Sequence, residues 1–288
     1  MTILSELSDQ LASLVSRTAT RMVAVDPNGR NAASGIIWRS GLVVTANEAA
    51  SEEERFDVLL PDGKTSTATL AGRDASSDIA LLRVETESFD PLKPAKSVQA
   101  GNIAIAVGRS RIGPLSSWGI AKEAGGPWHS SAGGLIDRRM TLDLVLDRRA
   151  HGGAVVDTAG DLIGLAAFAP RHQALVIPAE TVMRVAERLE ASDRVARGYL
   201  GASFHPARVK PEKSGLIIVQ IDESGPASRA GLMVGDVVAA WNGEAIASVR
   251  DLLRKLGPDA VGSTAALDII RASQPKRVEV AIGERPHK

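Results

Sequence analysis

Residues 147–165 read DRRAHGGAVVDTAGDLIGL, and this stretch carries most of the information about the fold. A polar loop leads into the pair Gly152-Gly153, and two apolar runs follow, separated by a turn at 159–160. Two short apolar runs joined by turn residues are typical of a β-hairpin. His151 stands directly before the glycines, so the sequence places an imidazole at the mouth of a glycine-rich loop between two buried strands.

The same alternation of short apolar runs and turns extends outward from this stretch, from Met22 to about Pro178. Residues 34–46, SGIIWRSGLVVTA, and residues 56–74, FDVLLPDGKTSTATLAGRD, each hold two such runs around a central turn. Many short strands at regular spacing, with no helical pattern between them, predict an antiparallel sandwich or barrel.

Two segments that flank this region have helical periodicity instead. Leucines recur at spacings of three and four near the start, which predicts an amphipathic helix within residues 1–20. Such a helix either packs on its own domain or forms an oligomer or partner contact. A second helical stripe precedes residue 198, and we interpret residues 181–197 as a linker helix.

A second β-rich unit is predicted over residues 198–288, with two short helices inside it. Pro226 and Gly231 suit the start and the end of the first helix. Ser248 is a plausible N-cap of the second helix, which presents an apolar face. The residues of that face are Val249, Leu252, Leu253 and Leu256.

Composition limits the classes of function. Among 288 residues, 34 Lys and Arg balance 34 Asp and Glu, and aromatic residues make up 3%, so neither nucleic acid nor an anionic membrane is an expected partner. The chain has no cysteine, which excludes disulfides and thiolate catalysis. The first residues contain no basic region followed by a continuous apolar run, so we expect a cytoplasmic protein.

Several motifs in consistent order resemble the HtrA/Deg family, in which a chymotrypsin-like protease precedes a PDZ domain. Residues 34–49, SGIIWRSGLVVTANEA, and 76–84, SSDIALLRV, are similar to the segments that carry the family's base and its aspartate. Residues 142–165 are similar to its nucleophile segment, and GYLG (198–201) and residues 225–246 to its PDZ motifs. The resemblance implies a mainly β fold, with a double six-stranded β-barrel at 21–180 and a PDZ domain at 198–288.

The departures from the family pattern concern its catalytic residues. The resemblance puts Glu48 at the position of the base, Asp78 at that of the orienting aspartate, and His151 at that of the nucleophile. Arg149 takes the position of a glycine whose N–H donates to the oxyanion, and its β-carbon disfavours the positive φ that such a loop commonly requires. Because a serine hydrolase needs both a hydroxyl and an imidazole base, we interpret the barrels as a pseudoprotease without catalytic residues.

Two interpretations of His151 follow from its expected position beside Glu48 and Asp78. In the first, His151 is charged and is held by Glu48 in a packed ion pair that fills the former cleft. In the second, these three residues ligate zinc or iron, with His172 or His129 as a further ligand. We favour the ion pair and expect no cofactor.

The PDZ motifs imply that the second unit binds the C-terminus of a protein or peptide as an added strand. The backbone N–H groups of Leu200 and Gly201 are expected to hold the carboxylate, with that of Tyr199 as a further candidate, beside a strand that includes Ala202. Leu252, Leu253 and Leu256 are the expected walls of a pocket for an apolar terminal side chain.

The sequence therefore favours a catalytically inactive protein that acts as a scaffold, an adaptor or an accessory subunit. Such a protein is expected to form a stoichiometric complex with another enzyme or a homo-oligomer. The alternative is an HtrA-type serine endopeptidase with residual or metal-assisted hydrolase activity. A third hypothesis is a chaperone-like module that holds unfolded chains without cutting them.

Overall fold

The structure is a computed structural model that describes residues 2–26, 29, 32–50, 55–86, 91–192, 195–210 and 213–286. The chain forms two compact units: one comprises Met1–Trp128 and Leu135–Val195, and the other comprises His129–Gly134 and Ala196–Lys288. Strands dominate both units, so the mainly β fold predicted from the sequence is confirmed.

The first unit begins with a helix and a closed six-stranded barrel in the strand order β1-β2-β3-β6-β5-β4. Its elements are α1 (Ile3–Ala19), β1 (Met22–Val25), β2 (Ala33–Arg39), β3 (Leu42–Ala46), β4 (Arg55–Leu59), β5 (Thr65–Asp74) and β6 (Ile79–Arg83). Both predicted hairpins are present, since β2 pairs with β3 and β4 pairs with β5. Gly41 and Gly63 take positive φ angles in the two turns.

A second closed six-stranded barrel follows in the order β11-β14-β13-β12-β7-β8, which confirms the predicted double barrel. Its region contains β7 (Ile103–Arg109), β8 (Pro114–Ala124), β9 (Trp128–His129), β10 (Leu135–Ile136), β11 (Met140–Asp143), β12 (Ala154–Val156), β13 (Leu162–Ala169) and β14 (Gln173–Pro178). The stretch quoted first forms the predicted hairpin, because Ala154 on β12 pairs with Leu165 on β13. The histidine loop therefore directly precedes β12, which pairs with β13 and β7 in this barrel.

The first helix is only partly covered by its own unit. Leu14 is buried, whereas Ile3 and Leu4 are 85% and 77% exposed. The leucine stripe thus packs through its second half, and the first turns of α1 remain exposed.

The helix interpreted as a linker spans Ala179–Ala191 and is labelled α2. It begins and ends earlier than the predicted range 181–197. Its apolar face, Val182, Val185, Ala186 and Leu189, belongs to the core of the barrel unit. Burial of this face makes α2 part of that unit.

The second unit is a β-sheet with two short helices. Its elements are β15 (Gly198–Tyr199), β16 (Ala202–Lys210), β17 (Lys213–Ile221), α3 (Pro226–Arg229), β18 (Val237–Trp241), β19 (Glu244–Ala245), α4 (Val249–Lys255), β20 (Thr264–Arg271), β21 (Gln274–Ala281) and β22 (Gly283–Glu284). The strand order is β16-β17-β18-β20-β21, so β16 and β21 are its edges. Ser248 caps α4 in a reciprocal capping box with Asp251, as its sequence position indicates.

No helix in the described part of the chain is long and apolar enough to cross a membrane.

Candidate functional site

His151 and Asp78 meet in the barrel unit. The Nε2 atom of His151 lies 3.0 Å from Oδ2 of Asp78, and the histidine is 8% exposed. These two residues were expected to converge with Glu48. The side chain of Glu48 is exposed, and only its backbone N–H donates to Oδ1 of Asp78, at 3.1 Å. The imidazole is therefore held by Asp78, which corrects the expectation that Glu48 would hold it.

A tight turn before β6 presents Asp78. The buried carboxylate of Asp74 accepts hydrogen bonds from the backbone N–H and hydroxyl of Ser76 and from the hydroxyl of Ser77. Asp78 itself has a φ of 57°, a left-handed conformation that aspartate tolerates better than most residues. The paired serines thus anchor the turn on Asp74, and Asp78 remains available to His151.

Aromatic contacts complete the surroundings of the imidazole. The ring of Phe168 on β13 contacts His151 edge-on, with the ring centroids 5.4 Å apart. Phe168 also contacts His172 in the same manner, at 6.0 Å. No three His, Asp or Glu side chains within the described ranges lie together in a way that would hold a metal ion. The three candidate ligands Glu48, Asp78 and His151 therefore do not form such a group here.

The loop before His151 is a single turn of 3-10 helix, Arg148–Ala150. The N–H of Arg149 donates to Oδ1 of Asp147 at 2.8 Å. The N–H groups of Ala150 and His151 donate to the carbonyl oxygens of Asp147 and Arg148, at 2.9 and 3.1 Å. An oxyanion hole of the serine-protease type needs unpaired N–H groups at the nucleophile and two residues before it. Both corresponding groups are already hydrogen-bonded within the loop.

Arg149 and Asp147 hold this turn together. The guanidinium of Arg149 binds both carboxylate oxygens of Asp147, through Nε at 3.0 Å and Nη2 at 2.7 Å. These hydrogen bonds lower the pKa of the Asp147 carboxyl below its ordinary value, against the opposing effect of burial. The carboxylate is consequently ionised at neutral pH, the state that caps the N–H of Arg149.

A buried serine of the first barrel fixes the loop from the other side. The Ser34 hydroxyl donates to the carbonyl oxygen of Arg149 at 2.6 Å. The Ser34 backbone N–H donates to the carbonyl oxygen of His151 at 2.8 Å. Gly152 has a φ of 79°, and a β-carbon there would lie 2.4 Å from the Ser34 carbonyl oxygen. The first glycine of the pair is therefore required by close packing, whatever the chemistry of residue 151.

Sequence reasoning missed Ser34 and Asp147. Asp147 has a recognisable signal, because an aspartate two residues before a loop N–H often caps it. Ser34 has none, since its contact to Arg149 spans 115 residues.

The predicted carboxylate loop of the second unit has donors that remain unpaired. Among the described residues, the N–H groups of Leu200 and Gly201 donate to no protein acceptor. Their carbonyl oxygens accept from the N–H groups of Ala227 and Asp222, at 2.7 and 2.8 Å. Because the C=O and N–H of one peptide group point in opposite directions, the first contact fixes the direction of the Gly201 N–H. Gly201 has a φ of 73°, and a β-carbon there would lie 2.8 Å from Cα of Gly225. The loop thus offers two adjacent donors on a rigid support.

The remaining residues predicted for peptide binding differ in exposure. Tyr199 pairs with Gly283 through β15 and β22, and its hydroxyl donates to Asp222 at 3.2 Å. Ala202 is the first residue of the edge strand β16. Leu252 and Leu256 are 2% and 7% exposed and belong to the core of this unit, whereas Leu253 is only partly buried. Of the three predicted walls, Leu253 alone has appreciable accessible surface.

Known protein families match both units. A model of the trypsin-like peptidase domain matches residues 33–165, and a model of the PDZ domain matches residues 198–282. Two closed six-stranded barrels followed by a PDZ domain define the class of this protein, a trypsin-like peptidase fold that carries a peptide-binding module.

Curated relatives give the family. A probable periplasmic serine endoprotease, DegP-like, of Brucella suis is 29% identical over 270 residues, which cover 88% of this chain and 52% of that protein. A protein of the same name from Ectopseudomonas mendocina is 27% identical over 280 residues, covering 88% and 56%. The chain belongs to the HtrA/Deg family. It spans about half the length of these relatives.

Solved structures agree with this fold. The HtrA-type protease AlgW with a decapeptide superposes with a TM-score of 0.75 at 21% identity, over 96% of this chain and 99% of that one. The serine endoprotease from Yersinia pestis superposes with a TM-score of 0.74 at 24% identity, over 95% and 98%.

The expectation of a cytoplasmic protein is wrong. The relatives that match over most of the chain are named periplasmic endoproteases. Lack of cysteine does not argue against that compartment, because an oxidising environment permits disulfides without requiring them.

Proposed function

We propose that this HtrA/Deg chain does not hydrolyse peptide bonds and acts as a binding protein. The observation that carries the proposal is the hydrogen bonding of the loop before His151. Every backbone N–H from Arg149 to Gly153 has an acceptor within the protein. In chain order, the acceptors are the carboxylate of Asp147 and then the carbonyl oxygens of Asp147, Arg148, Ala166 and Ala150. A tetrahedral oxyanion would find no free donor at this loop, and that stabilisation is commonly the largest single contribution to acyl transfer.

The side chains at the site support the same conclusion. A nucleophilic hydroxyl requires a base within hydrogen-bond reach, and here the imidazole at the nucleophile position is itself bonded to Asp78. Glu48 occupies the position of the base with an exposed side chain. Two of the three side chains at the triad positions, Asp78 and His151, are therefore held in a structural contact with each other.

Peptide binding is the positive part of the proposal. The unpaired N–H groups of Leu200 and Gly201 suit a terminal carboxylate, and the edge strand β16 suits an added strand. A similar solved structure is that of the HtrA-type protease AlgW with a decapeptide. We propose that the chain holds partner C-termini in this way, as a scaffold, an adaptor or an accessory subunit, either in a complex with another enzyme or as a homo-oligomer.

The hydrolytic part is tested with a fluorophosphonate probe, which labels activated serines, and with casein digestion. We expect the purified chain to be unlabelled and to leave casein intact, whereas an active HtrA protease at the same concentration is labelled and digests it. Casein cleavage that disappears on treatment with a chelator would favour the metal-assisted hydrolase. Cleavage that disappears with the probe would favour a residual serine peptidase.

The binding part is tested with a fluorescent decapeptide that ends in an apolar residue, prepared with a free and with an amidated C-terminus. We expect amidation to weaken binding to the full chain at least tenfold, because an amide lacks the charge that the two N–H groups bind. Equal binding of the two peptides would reject carboxylate recognition.

A further inference from the structure

The edge strand that faces the proposed peptide contains a proline. Pro206 lies in the middle of β16 (Ala202–Lys210), between His205 and Ala207. Proline has no backbone N–H and is found within sheets on edge strands, with its nitrogen directed away from the neighbouring strand. The effect of Pro206 on an added strand depends on which edge its backbone faces.

The hydrogen bonds of β17 settle this direction. The N–H of Ile218 donates to the Asp236 carbonyl at 2.8 Å, and its carbonyl accepts from the N–H of Gly235 at 2.9 Å, so the backbone of Ile218 faces the β18 side. Successive residues of a strand face opposite edges, and Ile217 therefore faces β16. Ile217 is paired with His205, whose backbone faces β17 in turn.

The residues on either side of His205 consequently face the open edge. These are Phe204 and Pro206, and the same alternation includes Ala202. The carbonyl of Gly201 gives an independent check, because it accepts from Asp222 and the N–H of Ala202 must then point the opposite way. The open edge thus carries donors at Ala202 and Phe204, and the next donor is missing at Pro206.

An antiparallel peptide aligned by its carboxylate has a fixed register on this edge. With the carboxylate at Leu200 and Gly201, the third residue from the peptide's end lies opposite Phe204 and exchanges two hydrogen bonds with it. The fifth residue from the end lies opposite Pro206. Its N–H still has the Pro206 carbonyl as an acceptor, but its own carbonyl has no donor.

We propose that Pro206 ends the peptide ladder at the fifth residue from the peptide's end, so that this PDZ unit recognises about the last five residues of a partner and gains no affinity from a longer extended tail. This inference rests on the proposed binding of C-termini. The partner that it assigns is a protein with a short extended C-terminal tail. Segments upstream of that tail make no ladder and are free to be folded or charged.

The test is a length series of peptides that share one C-terminal sequence, from three to eight residues, titrated against the full chain. The dissociation constant is expected to fall from three to about five residues and then to stay within about twofold up to eight. In the Pro206→Ala variant the added N–H is expected to tighten binding of the eight-residue peptide about fivefold, the effect of one net hydrogen bond. The four-residue peptide is expected to bind both proteins alike.

Pro275 provides a matched control, since it is an exposed proline in β21, the opposite edge of the same sheet. Pro275→Ala is expected to leave the length series unchanged. Affinity of the unmodified chain that rises steadily to eight residues would overturn the role of Pro206 while leaving carboxylate binding intact. Failure of every free-carboxylate peptide to bind would overturn the proposed function and this inference together.

Discussion

Nε2 of His151 and Oδ2 of Asp78 lie 3.0 Å apart, although 73 residues separate them in the chain. The contact joins the glycine loop of the second barrel to the turn before the last strand of the first barrel. The relatives are named serine endoproteases. In this chain His151 packs on Asp78 and Phe168, and we propose that it stands where a working triad would have a free hydroxyl.

Restoring the serine alone is expected to leave the protein inactive. In His151→Ser the hydroxyl has no imidazole base, because Glu48 stands at that position, and the N–H of Arg149 still donates to Asp147. The triple variant Glu48→His, Arg149→Gly, His151→Ser supplies a base and a residue that readily adopts positive φ. Casein digestion is expected for the triple variant and not for the single one.

Asp78→Ala added to that triple variant serves as the control and is expected to reduce cleavage again. Digestion of casein by His151→Ser alone would contradict the account of the loop, since it would require an oxyanion donor that the loop does not offer.

Removing the carboxylate of Asp78 is expected to destabilise the barrel unit. Asp78→Ala leaves the imidazole of His151, whose side chain is 10% exposed, without its partner, at a cost of about 1–3 kcal/mol. Glu48→Ala changes an exposed side chain and is expected to cost less than about 0.5 kcal/mol. Urea unfolding of the unmodified chain and of the two variants measures both changes in the free energy of unfolding. Equal stabilities of all three proteins would show that the contact between Asp78 and His151 contributes nothing.

Alanine substitutions at two glycines with the same φ separate the conformational cost of a side chain at positive φ from the steric cost of its β-carbon. Gly41 and Gly152 both have a φ of 79°, but a β-carbon at Gly41 meets no atom within 4 Å, whereas one at Gly152 meets the Ser34 carbonyl oxygen at 2.4 Å. We expect Gly41→Ala to cost about 1–2 kcal/mol and Gly152→Ala to cost about 1–3 kcal/mol more. Thermal unfolding of the two variants measures the difference. Similar melting temperatures would mean that the contact with Ser34 is easily relaxed.

The PDZ unit contains a buried ion pair whose loss is expected to be costly. The carboxylate of Asp236 is 1% exposed and binds Arg271 through two hydrogen bonds of 2.7 Å. Asp236→Asn is expected to destabilise this unit by about 1–3 kcal/mol, because the buried side chain loses charge-assisted hydrogen bonds to Arg271. Asp268→Asn breaks a similar but more exposed pair with Arg277 and is expected to cost less than about 1 kcal/mol. Chemical unfolding followed by the fluorescence of buried Trp241 compares the two.

The cost of Asp236→Asn is expected to depend on pH. Burial raises the pKa of Asp236, but hydrogen bonds from Arg271 and from the Met233 N–H outweigh it, so the pKa in the folded state lies below its ordinary value. A lowered carboxyl pKa stabilises the fold above the unfolded pKa, and this stabilisation is lost as the pH falls through the folded value. The difference in the free energy of unfolding between the unmodified chain and Asp236→Asn is therefore expected to be complete at pH 7 and to shrink below about pH 4. A constant difference down to pH 2 would contradict the assigned ionisation.

Local patterns in the sequence were sufficient for most of the fold. Turn residues such as Gly41 and Gly63 mark hairpins because their positive φ is a property of the residue itself. The capping box of Ser248 and Asp251 marks the start of α4 for a similar local reason. The compartment was not predictable in this way, since neither the cysteine count nor the first residues fix it.

The sequence by itself determined that the chain is mainly β, because hydrophobic periodicity is local, and its resemblance to the HtrA/Deg family supplied the double barrel and the PDZ unit. Only the tertiary structure decided that Asp78 holds His151, that Asp147 and Ser34 hold the loop before it, and that Pro206 faces the open edge of its sheet. Those outcomes depend on distances between residues far apart in the chain and on strand register. Both are set by packing of the whole core, and no short stretch of sequence specifies them.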